Sequence, residues 1–145
     1  MKISTKGRYA LRFMVDLAQN SGGECVSLKD ASRRQGISIK YLEQIVAILV
    51  KEGLIRSIRG NQGGYMLAKT PSEYTVGEIL RSVEGNLVPV ACLENQVNLC
   101  PRKNVCPTIG FWKGLQEVVN KYVDSYTLED LAKVPVPEEH LDFII

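Results

Sequence analysis

Long apolar runs are missing from this chain. Nowhere do about 18 apolar residues follow one another without a charge, which excludes a membrane-spanning helix. The N-terminus is basic but carries no apolar stretch behind its charges. It is therefore not expected to be a secretory signal, and the protein is expected in the cytoplasm. Histidine is almost absent, with one residue, His140, in 145. No His-Glu-x-x-His string and no nucleophile elbow occur, so no enzyme is expected. A reducing compartment leaves the four cysteines to be read as thiols or metal ligands and not as disulfides.

What is present is an ordinary globular composition, 45% apolar and 23% charged, in a length suited to one domain with an extension. The net charge of +2 conceals a division. Residues 1–70 hold 12 basic and five acidic side chains, and residues 71–145 hold 6 and 11. A basic half followed by an acidic half suits a polyanionic partner for the first half, or reflects chance variation in solvated charge.

The first half reads as short helices closed by a hairpin. Ala10, Phe13, Met14, Leu17 and Ala18 fall on one helical face. Ser27, with Asp30 three residues on, caps a short second helix that Gly36 ends. Ser38 caps a third helix, with Ile37 and Leu42 placed as a hydrophobic staple. Leu42, Ile45, Val46 and Leu49 form its buried face, and Gly53 ends it. Two short helices around a glycine turn make a helix-turn-helix pattern. The free face of the second then carries Lys40, Tyr41, Glu43 and Gln44. Lys, Tyr and Gln can donate to phosphates or base edges, and Glu43 can accept from a cytosine amine. An ordinary solvated helix face has the same composition.

Residues 54–58 and 65–68 read as two strands around a glycine-rich loop, residues 59–64. Such a hairpin after a recognition helix is the wing of a winged helix. Arg56 stands at its base and Arg59 at its tip, where a guanidinium suits a narrow minor groove. Ser4 and Lys6, ahead of the first helix, are candidates to hold phosphates. Thr75 and Glu78 read as a capping box opening a fourth helix. From about Thr108 to Ser125 a longer helix repeats Trp112, Leu115, Val119, Tyr122 and Tyr126, a heptad-like seam widened by Phe111 and Val118. That seam packs on its own domain or pairs with a twin, and the dimer is the favoured reading. Thr127 caps a last short helix.

Between these helices Cys92, Cys100 and Cys106 follow one another in a proline-interrupted loop without periodicity. Three thiolates around one metal or cluster would give the loop a fixed shape. The spacing lacks the Cys-x-x-Cys pairs of zinc ribbons and ferredoxins, so incidental surface cysteines are the alternative. Cys25 is expected to be a half-buried apolar residue outside any such site.

The opening KISTKGRYALRFMVDLA, the stretch ISIKYLEQIVAILVKEGLIRSIRGNQGGYMLAK, the VGEIL segment and the cysteine loop together resemble the Rrf2 family of bacterial winged-helix regulators, over residues 1–132. The resemblance implies a mainly α fold with a small β-hairpin. Its parts are a winged helix-turn-helix in residues 1–70, a connecting helix and cysteine loop in 71–107, and a dimerisation helix and tail in 108–145. It implies a homodimer, a repressor more than an activator, on a pseudo-palindromic site in double-stranded DNA. It also implies an iron–sulfur cluster, 2Fe-2S before 4Fe-4S, held by Cys92, Cys100 and Cys106. Members of the family use a histidine three residues after the last cysteine as fourth ligand, or an aspartate in the partner chain's first helix. This chain has Ile109 and Arg8 at those places. Glu94, Cys25, His140 or an exogenous ligand remain for the fourth position. A zinc or thiol switch, or a sulfur-metabolism repressor without a cluster, is the alternative on the same fold.

Overall fold

The computed structural model describes residues 1–136, so His140 and the end of the tail lie outside the described residues. Helix α1 runs Thr5–Asn20, α2 Leu28–Gln35 and α3 Ile39–Lys51. Strands β1 (Ile55–Ile58) and β2 (Gly64–Leu67) follow. Helix α4 spans Val76–Glu84, α5 Ile109–Ser125 and α6 Leu128–Ala132, with single 3-10 turns at Pro71–Glu73 and Ala91–Leu93. The fold is thus mainly helical with one antiparallel hairpin, as the sequence pattern implies.

The helix starts follow from serine and threonine caps. The side chains of Ser4, Ser27, Ser38, Thr75 and Thr127 each accept from the backbone N–H three residues on. Each thereby satisfies a donor that has no partner inside its helix. Thr75 with Glu78 makes only half of the expected capping box: the Glu78 carboxylate pairs with Lys69 at 3.1 Å. The full reciprocal box occurs at Thr127 and Asp130. Gly36 ends α2 at φ +65°, a left-handed conformation that costs a residue with a Cβ about 1 kcal/mol or more.

The core forms on one face of α1. Ala10, Phe13, Met14 and Leu17 are fully buried there, with Leu42, Ile45 and Leu49 of α3, Ile79 of α4 and Leu128 of α6. Ala18 only borders this cluster. Ile37 and Leu42 are both buried, as the staple requires. A smaller cluster of Val76, Leu80 and Leu87 is covered by Val119 and Val123 of α5. This corrects the heptad reading of α5: Val119 packs inward on α4 and not outward on a partner seam.

Two features were not read from the sequence. Val26 and Tyr65 exchange both backbone hydrogen bonds at 2.8 Å, so the wing has a third, one-residue strand along β2, close to its loop end. Gly64 permits this approach, since a Cβ there would lie 2.3 Å from the Val26 carbonyl oxygen. Tyr74 is completely buried, and its hydroxyl donates to Leu54 O at 2.6 Å while accepting from Ala68 N and Lys69 N at 2.9 and 3.0 Å. It ties both strand ends of the hairpin to the helical core.

Tyr74→Phe keeps the ring but strands the Lys69 N–H, and leaves Ala68 N and Leu54 O with only their mutual bond at 3.3 Å. The expected loss is about 1–3 kcal/mol of unfolding free energy. Urea denaturation checks it: the midpoint falls with an unchanged slope, and an unchanged midpoint contradicts the tie.

Candidate nucleic-acid interface and cysteine loop

Helix α3 buries Leu42, Ile45, Val46 and Leu49, which turns Lys40, Glu43, Gln44 and Ala47 to solvent. Ser38 is exposed at its N-terminus, and its hydroxyl oxygen accepts from Tyr41 N at 3.1 Å. Tyr41 departs from the expected exposed face. It is half-buried and meets the Tyr9 ring edge-on, centroids 5.7 Å apart. It therefore braces α3 against α1 in addition to bordering the outer face.

The hairpin leaves α3 directly, through Gly53 and Leu54. Arg56, opposite Met66 in the ladder, and Arg59, in the loop after β1, are both exposed. Of the basic residues in the first half, only Arg33, Arg34 and Lys69 form ion pairs among the described residues. Lys40, Arg56 and Arg59 are left with uncompensated charge, which favours a polyanion over a balanced, solvated face.

The expected phosphate role of Ser4 meets competition. Its backbone N–H donates to Glu84 Oε1 at 3.1 Å, its hydroxyl is engaged with the same carboxylate oxygen, and it caps α1 through Gly7 N. A carboxylate beside it repels phosphate, so Ser4 is a structural cap joining α1 to α4. Lys6, half-buried, has no such engagement among the described residues.

One buried acid was not singled out from the sequence. Asp16 is 1% exposed and accepts from Arg34 Nε and Nη2 at 2.9 and 2.8 Å and from Gln35 Nε2 at 2.9 Å. The hydrogen bond to Asp16 raises the Arg34 pKa above its ordinary value, against the opposing effect of burial. The available signal was an acid inside the apolar stripe of α1, three residues after Phe13.

Among the described residues, every hydrogen bond in the loop between α4 and α5 joins residues within three positions of one another. Val97, Leu99 and Val105 stand exposed. Cys92 and Cys100 line one hollow of about 230 Å³, and the Cys100 N–H donates to Asn98 Oδ1 at 2.9 Å. Cys106 is not part of that hollow. Its thiol lies 3.4 Å from Thr108 Oγ1, and this contact, with the Thr108 backbone N–H, lowers its pKa. Among the described residues no three Cys, His, Asp or Glu side chains are gathered as a metal would need. As placed, the three thiols are not gathered around one point: Cys92 and Cys100 share the hollow and Cys106 stands apart from it. Cys25 is half-buried, as expected, and donates its S–H to the carbonyl of Gln62 in the wing loop at 2.8 Å.

Comparison with known proteins places these features. The Rrf2 family model, described as an iron-dependent transcriptional regulator, matches residues 3–134. The HTH-type transcriptional regulator CymR of Bacillus subtilis (strain 168) is 43% identical over 132 residues, covering 91% of this chain and 90% of CymR. The solved structure of that global cysteine regulator of B. subtilis superposes with a TM-score of 0.76 at 41% identity, over 94% of this chain and 99% of the other. The structure of T. potens IscR gives a TM-score of 0.73 at 37% identity, over 97% and 96% of the two chains. The helix-turn-helix, the wing and the long helix behind them therefore belong to a transcriptional regulator and not to an enzyme, and the chain is a member of the Rrf2 family.

Proposed function

We propose that this regulator is a cytoplasmic repressor that binds a pseudo-palindromic operator in double-stranded DNA as a homodimer. The observation that carries this reading is the exposed face of α3 set beside an uncompensated, arginine-bearing wing. Lys40, Glu43 and Gln44 face the major groove, with Ser38 at the helix start, and Tyr41 braces the helix. Arg59 enters the minor groove, and Arg56 and Lys6 hold phosphates. The dimer is supported by α5, where Phe111, Val118 and Tyr122 are each more than 60% exposed and Leu115 borders them. This face is too apolar to be a solvated helix surface.

The sensory element in this reading is the Cys92–Cys106 loop. Its three thiols within fifteen residues, and its purely local hydrogen bonding, suit a segment that takes its final shape from a bound group. An iron–sulfur cluster, 2Fe-2S before 4Fe-4S, is the group proposed, and bound there it would supply one-electron and ligand-exchange chemistry. Cys92 and Cys100 already share a hollow, and Cys106 must move to join them. A second reading is favoured by that separation and by the likeness to CymR: a sulfur-responsive or zinc/thiol regulator in which the cysteines act without a cluster.

Three outcomes are expected. Leu115→Asp with Val118→Asp, which leaves the inward Val119 in place, converts a micromolar dimer into monomers by light scattering. A wild type that is already monomeric contradicts the dimer. On the operator, Arg59→Ala and Gln44→Ala each cost roughly 1–3 kcal/mol, with base preference relaxed only by the second. Affinities and footprints identical to wild type would reject these roles. After anaerobic reconstitution the wild type and Cys25→Ala absorb in the visible and contain iron and sulfide, and Cys92→Ala, Cys100→Ala and Cys106→Ala do not. A colourless wild type returns the loop to the zinc or thiol reading.

A further inference from the structure

Away from the cysteine loop, α1, the end of α2 and the residues after α6 border an open cavity of about 640 Å³, within the size range of small-molecule sites. Leu11, Val15 and Leu131 supply an apolar wall, and Arg8, Arg12 and Arg34 supply the polar side. Arg34 is neutralised by Asp16. Arg8 and Arg12 are not: Arg8 donates to Thr5 Oγ1 at 3.2 Å, and Arg12 donates to Gln35 Oε1 at 3.2 Å and to the Gln35 carbonyl. Among the described residues neither has a carboxylate within salt-bridge distance. Four positions apart on α1, the two guanidinium groups repel each other, a cost that an anion between them would remove. Guanidinium forks are matched to carboxylate and phosphate oxygens.

We propose that this cavity is a binding site for a small organic anion, a carboxylate or phosphate on an apolar body, and that its occupation is felt by α3. The route is short. The Arg12 guanidinium lies 5.1 Å from the centre of the Tyr9 ring, and that ring meets Tyr41 of α3 edge-on. Arg12 also holds the carbonyl of Gln35, the last residue of α2 before the Gly36 turn. An anion that draws Arg12 away loosens both contacts at the joint between the two helices of the DNA-reading unit. The effect on DNA rests on α3 being the reading helix, whereas the binding site itself does not.

The probes are octanoate and octyl phosphate, with octan-1-ol as the uncharged control and acetate as the control without an apolar body. They are titrated into the isotopically labelled full chain without DNA and followed by NMR. Octanoate or octyl phosphate, according to the oxyanion preferred, is expected to shift the Arg12 Nε–H, the Gln35 side-chain amide and the Tyr41 amide saturably. Octan-1-ol and acetate are expected to bind at least tenfold more weakly. Arg8→Gln with Arg12→Gln, both at exposed positions, lowers the affinity for the anion at least tenfold while leaving that for octan-1-ol unchanged. Equal affinity for octanoate and octan-1-ol, or shifts confined to Phe111 and Val118, overturns the site in favour of unspecific apolar binding. Binding that weakens as protein concentration rises assigns the cavity to a second copy of the chain. Tighter binding in Glu138→Gln with Glu139→Gln assigns the two charges to the chain's own Glu138 and Glu139. No anion site, together with lost affinity of the double arginine variant for unspecific duplex DNA, assigns them to DNA phosphates. Each of these three results also overturns the proposal. A shift at Arg12 and Gln35 without one at Tyr41 retains the site and rejects its coupling to α3.

Discussion

The structure depends on one face of α1. Ala10, Phe13, Met14 and Leu17 present a single apolar stripe, and α3, α4 and α6 all bury side chains against it. Each large side chain so buried contributes roughly 1.5–3 kcal/mol, and no other element touches as many of the parts. Asp16 lies on the same helix and uses its buried carboxylate to hold Arg34 and Gln35, the last two residues of α2. Burying such a charge is tolerable only with full pairing, and here three donors meet it. The last turn of α2 is thus fixed, Gly36 turns the chain, and α3 leaves with a defined orientation.

The remainder of the chain is attached to that frame with decreasing firmness. The wing is held at its root by the hydroxyl of Tyr74 and near its loop by the Val26 bridge to Tyr65, while its tip carries Arg59 into solvent. Helix α5 rests on α4 through Val119 and Val123 and through Arg81. Arg81 binds Asp124 at 2.8 Å and Asn120 at 2.9 Å, and its guanidinium lowers the Asp124 pKa. Its opposite face is apolar and exposed. The cysteine loop has the least support of all, with only local hydrogen bonds. A regulator profits from this gradient. In the proposed reading the rigid part sets the spacing of α3, and the loop, with the fewest contacts, is the segment a signal can reshape at small cost.

Local features were legible in the sequence because local physics makes them. Serine and threonine caps, the glycine at the end of α2, the staple of Ile37 and Leu42 and the two strands of the wing all lie within a few residues of their causes. Features made by distant partners were not. Nothing near Val26 announces a bridge to Tyr65, and Tyr74 sits in a loop without a period although it is buried completely. In α5 the repeat was visible, but repeat alone does not say which residues meet α4, and Val119 was assigned to the wrong face. Glu78 chose Lys69 over its own helix start, a competition that sequence spacing cannot weigh. Ser4 was read as a phosphate ligand because Glu84, eighty positions away, was not known to reach it. The three loop cysteines were visible at once, yet their spacing does not encode whether the loop gathers them, and here it brings two of them to one hollow.

The central claim is that two copies of α3, held by this frame, read DNA together. In vitro selection of the purified full-length protein on a random duplex library tests it most directly. The enriched sequences are predicted to form an inverted repeat whose half-sites lie about one helical turn, ~34 Å, or a multiple of it apart. Enrichment of a single, unrepeated site, or of no sequence at all at a salt concentration where unspecific binding is suppressed, would contradict the account.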